Sequence, residues 1–275
     1  SRMQKRVSSL VICLALMVSM SSHAAAAESN SKQVNIVVNS TQLAAETTAT
    51  KVVNNSVYVS YWPVVAALYP DATVAWENGK SVVRANGLTM YITPGASYIG
   101  ANGRYLYVED TVLVEGQSIL LPARVLAKAL GASVAWANNT VTFLAGSGPI
   151  ASGSSYYNSD SVYWLSRIIN AESGNQPLSG KIAVGNVVLN RVASALFPNT
   201  VKGVVFQKNQ FTPVSNGSIY KTPNEQSVIA AKLCLDGANT VGNSLYFVNP
   251  RVSPNSWASR NRPYVATIGA HAFFA

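Results

Sequence analysis

Histidine and cysteine are almost missing from this sequence, with two of each in 275 residues. His23 and Cys13 fall within the first 27 residues, which leaves His271 and Cys234 for the rest of the chain. A zinc site or a Cys–His protease needs more parts than these, so both chemistries are excluded, and no metal or cofactor is expected. Cys234, in AAKLCLDG, reads as a small buried hydrophobe and not as a nucleophile. Acids are scarce as well. Eleven Asp and Glu face twenty Lys and Arg, a formal charge of +9. That balance suits a polyanionic surface, and a cell wall fits better than nucleic acid because no Lys/Arg run or basic helix appears. General solubility at high pI is the plain alternative. The apolar run from Leu10 to Met20 is too short for a permanent membrane anchor. With Arg2, Lys5 and Arg6 before it and Ala24 to Ala27 after it, residues 1–27 read as a secretory signal, and the protein is expected to be exported.

Roughly 150 residues per domain suggests two domains. An internal repeat fills residues 34–145. SVYVSYWPVVAALYPDATVAWENGKSVVRANG (56–87) lies over QSILLPARVLAKALGASVAWANNTVTFLAGSG (117–148) as strand, helix, Val-Ala-Trp and hairpin. Asn78-Gly79 and Asn138-Asn139 are hairpin-turn pairs between alternating apolar residues. Trp76 and Trp136 hold equivalent places; core anchoring is their first explanation and stacking on wall sugars the second. The pattern resembles the small α/β repeat called the copper amine oxidase N-terminal-like domain. The resemblance brings no copper with it, since no histidine lies between residues 24 and 270. It implies a wall-associated or positioning module. Residues 146–155, rich in Gly and Ser, read as the linker to a second domain at 156–275.

The second domain is organised around DSVYWLSRIINAESGNQPLSGKIAVGNVVLNR, residues 160–191. Leu165, Ile168, Ile169 and Glu172 fall at i, i+3, i+4 and i+7, which puts a carboxylate on an apolar helical stripe. Ser173-Gly174-Asn175 and Pro177 end the helix, so Glu172 belongs to its last turn. Half-burial there keeps a glutamate protonated near neutral pH and fits it as a general acid. The alternative is a misjudged face, with Glu172 solvated.

Ten Lys and Arg face only four acids over 156–275, so each acid can be taken in turn. Asp160 is a natural N-cap for the helix that follows. Thr222-Pro223-Asn224-Glu225 has the form of a capping box with proline at the first helical position. Asp236, before Gly237, reads as a turn residue. Glu172 alone lacks a structural explanation. Ordinary glycosidases use two carboxylates roughly 5 to 9.5 Å apart, and a second is hard to find here. One glutamate suffices if the C6 hydroxyl of N-acetylmuramic acid attacks its own C1, leaving a 1,6-anhydro sugar.

INAESGNQPLSGKIAVGNVVLNRV, FPNTVKGVVFQKNQFTPV, SLYFVNP and RPYVATIGAHAFF together resemble the SleB/CwlJ-type cell wall hydrolases, the spore-cortex-lytic group. The four blocks stand in that family's order. The resemblance implies an α+β architecture, a lysozyme-like domain of helices beside a small sheet, with Glu172 as catalytic acid. It also implies peptidoglycan as partner and cleavage between N-acetylmuramic acid and N-acetylglucosamine by lytic transglycosylation; with the signal-like start, a secreted, wall- or spore-associated protein is expected. Gln210, Phe211 and Thr212 join an amide and a hydroxyl to an aromatic face, a set suited to N-acetyl sugars. Tyr246, Phe247 and Asn249 fall on an expected strand, with Tyr246 and Asn249 on opposite faces. Trp257 and Arg262 lie in a polar loop open to glycan or stem peptide, and His271 follows near the end. Packing is the competing explanation for every one of these except Glu172. The chain departs from the family in its signal-like start and its first module, so cortex specificity and a role in germination do not follow from the likeness. The rival readings are a muramidase that uses water, an amidase, for which zinc ligands are missing, and a non-catalytic wall-binding spore protein.

Overall fold

A computed structural model describes residues 33–275; the expected signal lies outside the described residues. The first module runs β1 (Asn35–Val38), β2 (Thr41–Gln42), β3 (Thr50–Val53), β4 (Ser56–Ser60), α1 (Tyr61–Leu68), β5 (Thr73–Glu77), β6 (Lys80–Ala85) and β7 (Leu88–Ile92). It continues with β8 (Tyr98–Ala101), β9 (Arg104–Tyr107), β10 (Leu113–Glu115), β11 (Ser118–Pro122), α2 (Ala123–Ala129), β12 (Ser133–Ala137) and β13 (Thr140–Leu144). Three sheets result, ordered β12-β13-β1-β2, β10-β11-β4-β3 and β5-β6-β7-β8-β9. Residues 56–85 and 118–144 follow the same order of strand, helix and hairpin, and β4 pairs antiparallel with β11, Val59 opposite Leu121. The hairpin turns take positive φ at Asn78 and Gly79 (50° and 76°) and at Asn138 and Asn139 (51° and 57°), as a two-residue turn matched to strand twist requires. The apolar alternation closes one core through Val59, Val65, Met90, Leu121, Leu126 and Phe143.

The two tryptophans do not anchor that core. Trp76 is 60% exposed and Trp136 52%. Both stand on outer strands, β5 and β12, so their rings project past the edge of a core that Val83 and Phe143 already close. Residues 146–155 are not a free tether either. Ile150 is buried in the first core, and its carbonyl accepts from Asn102 Nδ2 (2.9 Å). The Gly153 N–H donates to the Asn102 carbonyl (2.8 Å), and Gly146 and Gly148 lie against Gly131.

The second module comprises α3 (Gly153–Tyr156), α4 (Ser159–Ser173), α5 (Leu178–Ala193), α6 (Val201–Val205), α7 (Thr212–Ser215), a 3₁₀ turn (Ser218–Tyr220) and α8 (Glu225–Leu235). β14 (Tyr246–Val248), α9 (Trp257–Asn261), β15 (Tyr264–Ile268) and β16 (His271–Phe274) complete it, with sheet order β14-β16-β15. Helices beside a small sheet are therefore present. Leu165 and Ile169 of α4 meet Val184 and Val188 of α5 and Ala230 and Leu233 of α8 in its core. Cys234 is buried there, as expected, with Sγ donating to the Ile182 carbonyl (3.3 Å).

Two expected caps are replaced by neighbours. Asn158, not Asp160, caps α4, its Oδ1 accepting from Ser161 N (2.9 Å). Asn224, not Thr222, caps α8, accepting from Ser227 N (2.8 Å). An asparagine side chain reaches the same orphan N–H groups, and Asp160 and Glu225 move into the first turns, where they face the positive end of the helix dipole.

Asp236 is more than a turn residue. Its side chain is 1% exposed and joins the two modules. Arg104 of β9 donates to both carboxylate oxygens (2.6 and 3.2 Å), and Tyr157 OH donates to Oδ2. Lys128 of α2 lies 3.2 Å from Oδ1 and also donates to the Asp236 carbonyl. Tyr98, Tyr105 and Tyr107 pack on the second core beside this group. Burial alone would raise the Asp236 pKa, but the hydrogen bonds from Arg104 and Tyr157 and the charge of Lys128 hold it below its usual value. Breaking a buried pair from one side strands the other charge. Arg104→Ala is therefore expected to lower stability by about 3 kcal/mol in urea unfolding. Adding Asp236→Ala should recover part of the loss; an unchanged unfolding midpoint in the single variant would show that the pair does not hold the modules together.

Candidate active site

The C-terminal end of α4 is tied down from three directions, and this sets the position of Glu172. Asn170 Oδ1 accepts from Asn224 N (3.0 Å) and Ser227 Oγ (3.2 Å), while Asn224 Nδ2 donates to the Gly174 carbonyl (3.2 Å). The Lys181 ammonium, from α5, donates to the Gln176 carbonyl (2.5 Å) and to Gln226 Oε1 (2.9 Å). The Gln176 side chain in turn accepts from Ala270 N (2.9 Å), in the turn between β15 and β16 where Gly269 takes φ 57°. The Gly174 and Gln176 carbonyls, just past the helix end, thus find donors in the N-cap of α8 and in α5.

Glu172 lies in the last turn of α4 and is half-buried. It has no hydrogen-bonding or ionic partner among the described residues. Burial alone raises its pKa above the ordinary 4.5, with no neighbouring charge opposing the shift. An acid in this setting holds its proton further toward neutral pH and can give it up to a leaving oxygen.

The other expected residues fall into separate groups. Phe211 is buried, stacked near Phe247 (centroids 6.3 Å apart), so it is packing and not a sugar platform. Phe247 also meets His271 (5.2 Å) and Phe273 (5.9 Å). His271 is buried; its Nδ1 has no partner, and desolvation lowers its pKa, which keeps the ring neutral. Tyr246 meets Trp257 (5.5 Å), and Arg262 lies over both rings. Gln210 is exposed and accepts from Arg191, while Thr212 is exposed at the start of α7. Asn249 leaves the strand: its Oδ1 accepts from Arg251 N (3.0 Å) in the turn after β14, so the expectation of opposite strand faces does not apply to it. A concavity of about 250 Å³ on the first module, lined by Asn54, Tyr58, Glu109 and Asp110, contains none of these residues.

Arg191 was not among the expected residues, although the sequence carries its signal. Val184, Val187, Val188 and Arg191 repeat the i, i+3, i+4, i+7 pattern that singled out Glu172. Arg191 is 5% exposed, with Nε donating to the Leu245 carbonyl (2.8 Å).

Residues 175–274 match the Cell Wall Hydrolase family, beginning just after Glu172, and residues 25–144 match the Copper amine oxidase N-terminal domain. The chain belongs to the cell wall hydrolase family. A Cell wall hydrolase CwlJ from Oceanobacillus iheyensis is 31% identical over 127 residues, 43% of this chain and 89% of that protein. A Spore cortex-lytic enzyme from Bacillus cereus is 40% identical over 117 residues, 42% of this chain and 45% of that protein. The chain thus spans less than half the length of that relative. The solved catalytic domain of the germination-specific lytic transglycosylase SleB from Bacillus anthracis is 39% identical, covers 43% of this chain and 97% of that one, and superposes with a TM-score of 0.41.

The raised pKa of Glu172 has a signed consequence for stability. The folded state holds this proton more tightly than the unfolded chain, so an ionisation cost is absent below the ordinary 4.5 and appears as pH rises through the raised value. Glu172→Gln removes that cost. The variant is expected to exceed wild type in urea-unfolding stability at neutral pH, with the gap closing as pH is lowered toward 4.5. A gap that is constant with pH would mean that Glu172 titrates as a solvated carboxylate.

Proposed function

We propose that this protein cuts peptidoglycan glycan strands between N-acetylmuramic acid and N-acetylglucosamine by lytic transglycosylation. The observation that carries the reading is the single half-buried Glu172 with no partner, its proton held by burial, in a module whose other three acids are engaged elsewhere or lie exposed at helix starts. Protonated Glu172 gives its proton to the glycosidic oxygen as the C1–O bond breaks and positive charge develops on the muramic ring. The resulting carboxylate then takes the proton of the muramic C6 hydroxyl as that oxygen bonds to C1. The product is a 1,6-anhydro end, and Glu172 returns to its protonated form without water.

Membership of the cell wall hydrolase family and the likeness to spore cortex-lytic enzymes support this substrate class. Export, association with the wall or the spore, and a lysozyme-like fold of the helical module belong to the same proposal, as does a duplication within residues 34–145. In this reading the first module positions the second on the wall.

Glu172→Gln keeps shape and hydrogen bonding but cannot cycle a proton, so strand cleavage is expected to fall at least ~100-fold. Wild-type products should end in 1,6-anhydro-muramic acid, one water lighter by mass spectrometry than the ends left by a hydrolase. Borohydride-reducible ends, with an equal loss of activity on replacing Asp160 or Glu225, would mean a second carboxylate and water as nucleophile.

A further inference from the structure

The second module holds a buried cation that has no counter-charge. The three rings around Arg191 belong to Phe197, Phe211 and Tyr246, with the guanidinium carbon 4.9, 5.3 and 5.4 Å from their centroids. Its Nε and Nη1 are engaged on the Leu245 carbonyl and Gln210 Oε1, both neutral acceptors. Its Nη2 has no partner among the described residues and is not one of the unpartnered polar atoms sealed from solvent. A second guanidinium stands close by: Arg262, exposed, lies 5.3 Å from the Tyr246 centroid and 5.3 Å from that of Trp257.

Neither arginine forms an ion pair. The ion pairs among the described residues are Lys51–Glu115, Arg84–Glu77, Arg104–Asp236 and Lys128–Asp236. The acids of the second module are placed elsewhere, at the starts of α4 and α8, at the module interface and at the end of α4. Arginine cannot escape burial by losing its proton, so a desolvated guanidinium needs an anion or a full set of acceptors, and rings supply neither. Two guanidinium groups beside one ring raise the local positive potential, which a bound anion relieves. The unengaged Nη2 can donate a charge-assisted hydrogen bond to a carboxylate oxygen.

We propose that Arg191 and Arg262 form a carboxylate-binding subsite for the anionic groups of the glycan strand; this rests on the peptidoglycan reading above. The subsite is distinct from the bond-breaking end. Lys181 is bonded to the loop that follows Glu172, and Arg191 lies ten positions further along α5, about 15 Å of helix rise. It reads the strand at a distance from the cut. Two carboxylates of peptidoglycan fit this chemistry, the lactyl acid of muramic acid and the acids of the stem peptide.

The test uses the full chain and soluble glycan strands in matched forms. One set bears stem peptides, a second has them removed to leave lactyl acids, and each is also supplied with its carboxyl groups methylamidated. Release of strand ends gives kcat and KM for each. Wild type is expected to show KM raised about tenfold on amidated strands with kcat little changed. Arg191→Gln and Arg262→Gln should abolish that difference, and Arg191→Lys should keep part of it. A difference seen with stem-free strands assigns the lactyl acid, and one confined to stem-bearing strands assigns the peptide. Equal KM for charged and amidated strands in wild type overturns the proposal, as does full discrimination surviving in both Gln variants. Should Arg191→Gln fail to fold, Arg262→Gln at the exposed partner decides. Should no strand be cleaved at all, the catalytic reading fails on its own, and the same charge comparison by binding to Glu172→Gln still tests the subsite.

Discussion

The close approach of α5 to α4 and α8 at Gly185 governs the second module. A Cβ at this position would lie 2.7 Å from Cys234 Sγ and 3.0 Å from Ile169 Cδ1, so only a residue without one lets the three helices meet. Ile169 is thereby fixed in the core, and the next turn of α4 brings Glu172 to its half-buried station. The polar side of α5 then organises the chain that follows α8. Asn186 bonds the Ala238 carbonyl (2.7 Å) and accepts from Thr240 N (3.0 Å); Asn190 bonds the Gly242 and Ser244 carbonyls (2.9 Å each); Arg191 bonds Leu245. Residues 238–245 have no regular structure of their own, and these side chains supply the donors and acceptors that a ladder would otherwise provide. One helix thus sets both the acid and the strand that carries Tyr246 and Phe247.

Periodicity in the sequence revealed the elements that bury a face. The stripe on α4, the end of that helix and the two Asn-containing hairpins all follow from local pattern, because 3.6-residue and two-residue periods are written in neighbouring positions. Cap identity was less legible, since asparagine, threonine and aspartate compete for the same backbone N–H groups and tertiary contacts decide among them. Asn224 wins over Thr222 because its side chain also reaches the Gly174 carbonyl, a contact that no local window contains. Trp76 and Trp136 were misplaced for a related reason. Alternation gives the face of a strand but not whether the strand is central or outermost, and only outer strands leave a core-side ring exposed.

The contact between the modules had no signal in the sequence at all. Arg104 and Asp236 are 132 positions apart, and each has an ordinary local explanation, a strand cation and a helix-end acid. Their meeting depends on β8 and β9 presenting Tyr98, Tyr105 and Tyr107 to the second core, which excludes water from the pair and gives it its strength. The Gly/Ser composition of 146–155 misled in the same way. Glycine there serves close backbone approach to Gly131 and Gly103 rather than freedom of movement.

Charge placement connects these features to the chemistry. A guanidinium or ammonium within hydrogen-bonding reach of Glu172 would favour its anion and lower its pKa, the opposite of what a proton donor requires. In a module with ten cations and four acids, that arrangement has to be avoided actively. Lys181 is the nearest test, because it is bonded to the loop just past Glu172 and is itself buried. Its ammonium is turned onto a backbone carbonyl and the Gln226 amide, neutral acceptors that hold it without drawing on the glutamate. Desolvation lowers the pKa of Lys181 while it raises that of Glu172, so burial shifts both groups toward their neutral forms. On the proposed reading, the excess of positive charge draws in an anionic polymer while Glu172, with no cationic partner among the described residues, keeps its proton.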